Sequence, residues 1–245
     1  MRAYAIGDIH GHLDKLVEIH RRIADDRVQT GDHEAPVVHL GDYADRGPDV
    51  PGVLDFLGDG LSKGKPWILI RGNHDRMMAA YLRDPSERDP LRDDLFWLQD
   101  TIGGRKTLEG YGVDVALDRD VDAIHADAIA AVSDRHLKLL DGLQNSFAVE
   151  GVFFCHAGIR PGVPLDDQSE DDLVWIRHDF LRDTRDHGAL IVHGHTPVPQ
   201  IEHAGNHLNI DTGAAYGGPL TCVVIEDGAV FELTLHGRVP VAADF

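Results

Sequence analysis

Apolar residues fall in short blocks along this chain, and polar residues crowd the C-terminal end of several blocks. Residues 3–6 predict a strand, and 13–23 an amphipathic helix with Leu13, Leu16, Val17, Ile19 and Ile23 near helical spacing. Residues 36–40 predict a second strand. A helix over 50–61 follows, with Pro51 in its first turn, where proline is tolerated. A third strand at 67–70 leads into a helix from about 75 to 82. This order argues for parallel strands covered by helices. Residues 84–145 carry no strand pattern but several helical stretches, at 91–101, 105–110, 121–132 and 134–143. With no Pro/Gly/Ser linker to set it apart, this stretch is expected to be a helical insertion in a single domain spanning 1–245. Strands return at 147–155, 189–193, 208–210, 220–226 and 229–235, the last two joined by an Asp227-Gly228 turn.

Composition narrows the class. With 23 Lys+Arg against 42 Asp+Glu the net charge is −19, which disfavours nucleic acid and anionic membranes as partners. The longest apolar runs are far too short to span a bilayer. Two cysteines cannot make a disulfide framework, and with no signal-like segment at the start they fit a reducing cytoplasm. Cys155 adjoins His156, but strand alternation sends neighbouring side chains to opposite faces, so it is expected in the core. The 16 histidines carry the most information, because imidazole is the commonest metal ligand and general acid.

Several of those histidines sit where strands end. The first strand leads into Gly7-Asp8-Ile9-His10-Gly11, and the second into Gly41-Asp42-Tyr43-Ala44-Asp45-Arg46-Gly47. The third leads into Arg71-Gly72-Asn73-His74-Asp75, and two later ones into His156-Ala157-Gly158 and His193-Gly194-His195-Thr196. Ligands of open α/β sheets bind beyond the carboxyl ends of the strands. Convergence of these ends would gather Asp8, His10, Asp42, Asn73, His156 and His195 around one point. Such nitrogen and oxygen donors suit manganese, iron, nickel or zinc, and six are right for two ions sharing a carboxylate.

In that order the motifs GDIHG, GDYADRG, GNHD, HAG and HGHT resemble the phosphoprotein phosphatase branch of the calcineurin-like metallophosphoesterases, from residue 4 to about 216. The resemblance implies an α/β fold of four layers, two mixed β-sheets packed between helices. It implies Asp8 and His10 on a first metal, Asp42 bridging, and Asn73, His156 and His195 on a second, with Mn²⁺ the first choice. It implies a phosphatase whose hydroxide, generated between the two metals, attacks phosphorus directly. The expected substrates are phosphoserine or phosphothreonine proteins, then phosphotyrosine or a small phosphate ester. Symmetrical hydrolysis of diadenosine tetraphosphate is the alternative. Pro197 stands where the wider superfamily has a further histidine ligand, and Asp75 and Ala157 lean toward the diadenosine tetraphosphatase relatives.

Within that scheme His74 would protonate the leaving oxygen, oriented by Asp45, and Arg46 would grip phosphate oxygens. Arg177 is the expected second arginine, with Arg160 the runner-up. Arg105, Lys106 and Tyr111 of the insertion are candidates for a further phosphate or base.

Overall fold

The computed structural model describes residues 1–243. In chain order its elements are β1 (Arg2–Ile6), α1 (Leu13–Thr30), β2 (Val37–His39), α2 (Val50–Ser62), β3 (Trp67–Leu69) and α3 (Asn73–Arg83). There follow α4 (Gly104–Gly110), α5 (Val121–Ala131), α6 (Asp134–Asp141), β4 (Ser146–Val149), β5 (Val152–Cys155), α7 (Glu170–Trp175) and α8 (His178–Leu181). The chain ends with β6 (Leu190–His193), β7 (Glu202–His203), β8 (His207–Asn209), β9 (Cys222–Glu226), β10 (Ala229–Thr234) and β11 (Gly237–Val241).

These strands form two mixed sheets, in the orders β11-β10-β9-β1-β2-β3 and β4-β5-β6-β8-β7. β1, β2 and β3 run parallel, as do β5, β6 and β8. Alternation along each strand builds the layers. Ala3 and Ala5 of β1 meet Phe154 of β5 and Val192 of β6 between the sheets, while Tyr4 and Ile6 face α1 and α2. On the outer face of the second sheet, Phe153, Cys155 and Ile191 pack on Leu173 and Phe180 from α7 and α8. This is the expected four-layer α/β sandwich. The expectation for Cys155 holds too: it is fully buried, and burial raises its thiol pKa.

Local chemistry explains the helix boundaries. Asp49 caps α2 by accepting the Gly52 amide at 2.8 Å, one residue from Pro51. Gly60 in the last turn of α2 lets Trp67 lie on the helix, since a Cβ there would fall 1.7 Å from the indole. At the far edge, Asp26 of α1 accepts Tyr4 Oη at 2.7 Å and a paired donation from Arg238 of β11, tying α1 to the sheet.

Three expectations need correction. The single strand at 147–155 is a hairpin, because Glu150 and Gly151 both take positive φ, at 40° and 81°, and reverse the chain between β4 and β5. The stretch 91–101 is a series of turns rather than a helix. Its Leu95-Phe96-Trp97-Leu98 run has no single apolar face, and both Trp97 and Leu98 are buried. β7, β11, α7 and α8 also lie outside the expected set. Among the described residues no helix is long and apolar enough to cross a membrane.

Behind β2, His20 and His39 share a hydrogen bond of 3.0 Å between their Nε2 atoms, against Trp67 and Phe56. Burial pushes His39 down to about 4 and His20 down to about 2. The unfolded imidazoles bind protons below about pH 6.5 and the folded ones do not. Stability is therefore complete above that pH and falls as acid is added toward about pH 4. Each imidazole is expected to remove about 2 kcal/mol between pH 7 and pH 5. Thermal unfolding followed by circular dichroism across that range checks this, with His20→Phe giving a shallower fall in Tm. An equal fall would assign the acid sensitivity elsewhere.

Candidate metal centre

The carboxyl ends of β1, β2, β3, β5 and β6 meet at one edge of the sandwich, around a cavity of about 230 Å³. Asp42 lies at its base. Its backbone carbonyl accepts the Ile9 and His10 amides at 3.2 and 2.7 Å, and Oδ1 accepts the His74 amide at 3.0 Å. Gly72 is required beside it, because a Cβ there would fall 2.1 Å from Asp42 Oδ1. Asp75 holds the same loops together: one oxygen accepts the amides of Tyr43 and Ala44, the other that of Gly72. Burial first, and then the charge of Asp42, raise the Asp75 pKa to about 7.

The chain turns sharply to make these approaches. Seven non-glycine residues among those described have positive φ, and His10, Asp42, Asp45, Arg46 and His195 account for five of them. Each such conformation costs on the order of 1–3 kcal/mol. Concentration at one edge marks the loops as overdetermined by what surrounds them.

The donor chemistry fits divalent cations. His10 and His156 each use Nδ1–H on a backbone carbonyl, Ala44 and Leu40, both at 2.8 Å. Each Nε2 is left as an acceptor turned toward Asp42, at 3.4 Å for His10 and 3.5 Å for His156. Asn73 Oδ1 lies 3.0 Å from His156 Nε2, so two lone pairs face each other there. One atom from each of His10, Asp42 and His74 lies within 4.8 Å of the others, and the same holds for Asp42, His156 and His195. The two groups share Asp42. Asp8 stands across from the first group, its carboxylate accepting the His195 amide at 3.1 Å.

Burial shapes the electrostatics. It raises the Asp8 pKa, helped by Asp211 and Asp42, and it lowers those of His156 and His195. Burial also opposes charge on Asp42 and His10. For Asp42 the imidazoles of His156, His74 and His10 outweigh it and hold the carboxyl low, and for His10 the Asp42 carboxylate outweighs it and holds the imidazole high.

Beside the cluster, His74 Nδ1 meets Asp45 Oδ2 at 2.6 Å. Asp45 is fully buried and accepts Trp97 Nε1 at 3.1 Å and Thr107 Oγ1 at 2.8 Å, both from the insertion. Arg46 Nη1 approaches His10 Nε2 at 3.2 Å, and Arg177 Nε donates to His195 Nε2 at 3.0 Å, one from each side of the cavity. All ten expected site residues therefore meet at this edge. The runner-up, Arg160, is spent on Asp172 and Asp179 at the surface. Arg105 donates to the Leu98 and Val115 carbonyls, Lys106 pairs with Glu109, and Tyr111 bonds His136, so these three do not reach the cavity.

Other lining residues were missed from sequence: Arg92, Trp175, Asp211 and Tyr216. For Asp211 a signal existed, because it follows β8 as the other site residues follow their strands. Trp97 and Thr107 offered none.

A model of the calcineurin-like phosphoesterase family matches residues 1–223. The asymmetrical bis(5'-nucleosyl)-tetraphosphatase PrpE of Halalkalibacterium halodurans is 25% identical over 241 residues, covering 89% of this chain and 87% of its own. The protein of that name from Bacillus mycoides is 21% identical, covering 90% and 89%. Among solved structures, a candidate diadenosine tetraphosphatase superposes with a TM-score of 0.64 at 19% identity, covering 98% of this chain and 94% of that one. A cold-active protein-tyrosine phosphatase from a Shewanella species reaches the same TM-score at 16% identity, covering 98% and 80%. At these identities the structural likeness is one of fold.

Binding of Mn²⁺ at a hundred times its dissociation constant is expected to stabilise the fold by about 2.7 kcal/mol per site. Calorimetric unfolding with and without EDTA reads this as a rise in Tm. Asp42→Asn, which weakens the residue shared by both groups, is expected to abolish most of that rise. A full rise in the variant would remove Asp42 from the centre.

Proposed function

The chain belongs to the calcineurin-like phosphoesterase family and is a hydrolase of the metallophosphoesterase type, and on that premise we propose that it is a dinuclear phosphomonoesterase acting on phosphoserine and phosphothreonine side chains of proteins. The observation that carries this reading is the buried convergence of acceptor atoms on Asp42, next to a histidine held by a buried carboxylate. Asp8, His10 and Asp42 would hold one cation, and Asp42, Asn73, His156 and His195 the other, with Mn²⁺ the preferred ion. Divalent cations, when bound, supply Lewis-acid charge at the phosphoryl oxygens and lower the pKa of water to give a nucleophile at neutral pH.

The remaining steps belong to the chain. Arg46 and Arg177 flank the cavity, and their planar N–H forks match phosphoryl oxygens. His74 delivers a proton to the leaving oxygen while Asp45 holds its Nδ1. Trp97 and Thr107 keep Asp45 in place, so residues 84–145 work as an insertion within one catalytic domain. Leu95, Ile102 and Trp175 give the cavity an apolar side.

A cavity of about 230 Å³ suits one phosphoryl group and the side chain that bears it, and is smaller than the roughly 300–1,000 Å³ of enclosed small-ligand pockets. A dinucleoside tetraphosphate is the second reading, favoured by the names of the bacterial relatives. Those relatives carry the asymmetrical designation, whereas the alternative expected from sequence is symmetrical cleavage. The buried free thiols of Cys155 and Cys222 fit action in a reducing cytoplasm.

A panel of phosphopeptides and diadenosine tetraphosphate, compared by kcat/KM in Mn²⁺, decides between the readings. A strong preference for the dinucleotide, with negligible turnover of phosphopeptides, rules out the first. His74→Asn is expected to lower kcat about 10²–10⁴-fold for alkyl phosphates and far less for aryl phosphates, whose leaving groups need no proton. Equal losses on both would remove His74 from the acid role.

A further inference from the structure

Asp211 lies outside every motif that identifies the centre, yet its side chain lines the same cavity as Asp8, His10 and Arg46. It follows β8, the strand next to β6 in the second sheet. Two close approaches fix its position. A Cβ on Gly7, at the end of β1, would fall 2.5 Å from the Ile210 carbonyl oxygen and 3.7 Å from Asp211 Cα. A Cβ on Gly194 would fall 2.1 Å from Asp8 Oδ1 and 3.5 Å from Asp211 Cβ. The loops after β1, β6 and β8 thus bring Asp8 and Asp211 to one point from different directions. The Val198 amide donates to the Asp211 carbonyl at 2.9 Å, which ties the loop after His195 to it as well.

Both carboxylates are buried, Asp8 3% and Asp211 5% exposed, and among the described residues neither forms an ion pair. Asp8 accepts the His195 amide, and Asp211 Oδ1 accepts the Gly213 amide at 3.0 Å. Amide donors satisfy lone pairs but bring no positive charge; Arg46 acts on both carboxylates and His10 on Asp211 without forming an ion pair with either, and two buried carboxylates side by side remain unfavourable. Hard divalent cations are held by oxygens in this arrangement.

We propose that Asp211 is a further anchor for the cation held by Asp8 and His10, supplying carboxylate charge on the side of the site that faces β8. The inference rests on the metal-dependent reading above. It adds a residue to that site, next to the loop in which Pro197 carries no side-chain ligand atom.

The test uses the full chain and Mn²⁺ alone. Asp211→Asn keeps an oxygen for the Gly213 amide and removes the charge, and Asp211→Ser does the same with a shorter side chain. Isothermal titration, with metal counted by atomic absorption, is expected to give two Mn²⁺ in the wild type. In both variants one of the two should bind tenfold to a hundredfold more weakly. The Tm of the metal-free variants should equal or exceed that of the metal-free wild type, because a carboxylate repulsion has been removed, while the Mn²⁺-induced rise shrinks. Unchanged Mn²⁺ affinity in both variants overturns the proposal. So does a loss of affinity accompanied by a fall in metal-free Tm in both, which would make Asp211 a loop cap only. A wild type that binds no Mn²⁺ would instead sink the metal-dependent reading on which the proposal rests.

Discussion

Acceptor atoms with too few donors define this molecule. The carboxylates of Asp8 and Asp42, the Asn73 amide oxygen and the Nε2 atoms of His10, His156 and His195 are all buried within one small region. Their ordinary donors are used elsewhere, as the Nδ1 bonds of His10 and His156 to Ala44 and Leu40 illustrate. Lone pairs gathered in a low-dielectric setting repel one another and lose hydration, and only positive charge makes the arrangement favourable. Arg46 and Arg177 supply some of it from the cavity walls. The arrangement therefore suits divalent cations on the chain's own electrostatics, beside what the motifs imply.

Holding such a cluster together demands a rigid frame, and the sandwich provides one. Five strand ends from two sheets deliver the donors, and the inter-sheet core of Ala3, Val38, Leu40, Phe154, Val192 and Val223 fixes the sheets against each other. The left-handed backbone at His10, Asp42, Asp45, Arg46 and His195 is tolerable only with that support. Asp75 shows how the strain is contained. Its carboxylate gathers three amides from two loops, which locks the turn at Asp42 onto the start of α3. Asp75 is thus a bracket between β2 and β3 rather than a cavity residue.

Much of this was legible in the sequence, for a definite reason. A parallel strand covered on both faces reads as a short apolar run, and a donor placed at its carboxyl end follows that run within a few residues. Asp8, Asp42, Asn73, His156 and His195 all obey that grammar. Asp211 obeys it too, but stands in no motif. What stayed hidden depends on long-range pairing. Trp97 and Thr107 reach Asp45 across 52 and 62 residues, Thr107 from the expected helix α4 and Trp97 from a stretch whose local pattern suggested an ordinary helix at 91–101. Its four consecutive apolar side chains face different neighbours, so periodicity had nothing to report. The hairpin of β4 and β5 was hidden in a different way, since the backbone reversal at Glu150-Gly151 interrupts a run that is otherwise uniformly apolar.

The insertion has two tasks, and they need not change together. Through Trp97 and Thr107 it holds the carboxylate bonded to His74, which under the proposed function serves proton transfer to poor leaving groups. Through Arg92, Leu95, Thr101 and Ile102 it also lines the mouth, where Arg92 lies over the Trp175 ring at 5.5 Å and Arg46 over that of Tyr216 at 5.2 Å. The cation-binding edge lies on strands packed into both sheets, whereas the mouth lies on turns and side chains that are partly exposed. Under the proposed function, substitution at the mouth alters which leaving group fits at little cost to the core, while substitution at Asp45 or its two donors disturbs His74 and bears most on substrates whose leaving group needs a proton. Relatives that share this fold and act on different phosphate esters are expected to differ in the mouth first.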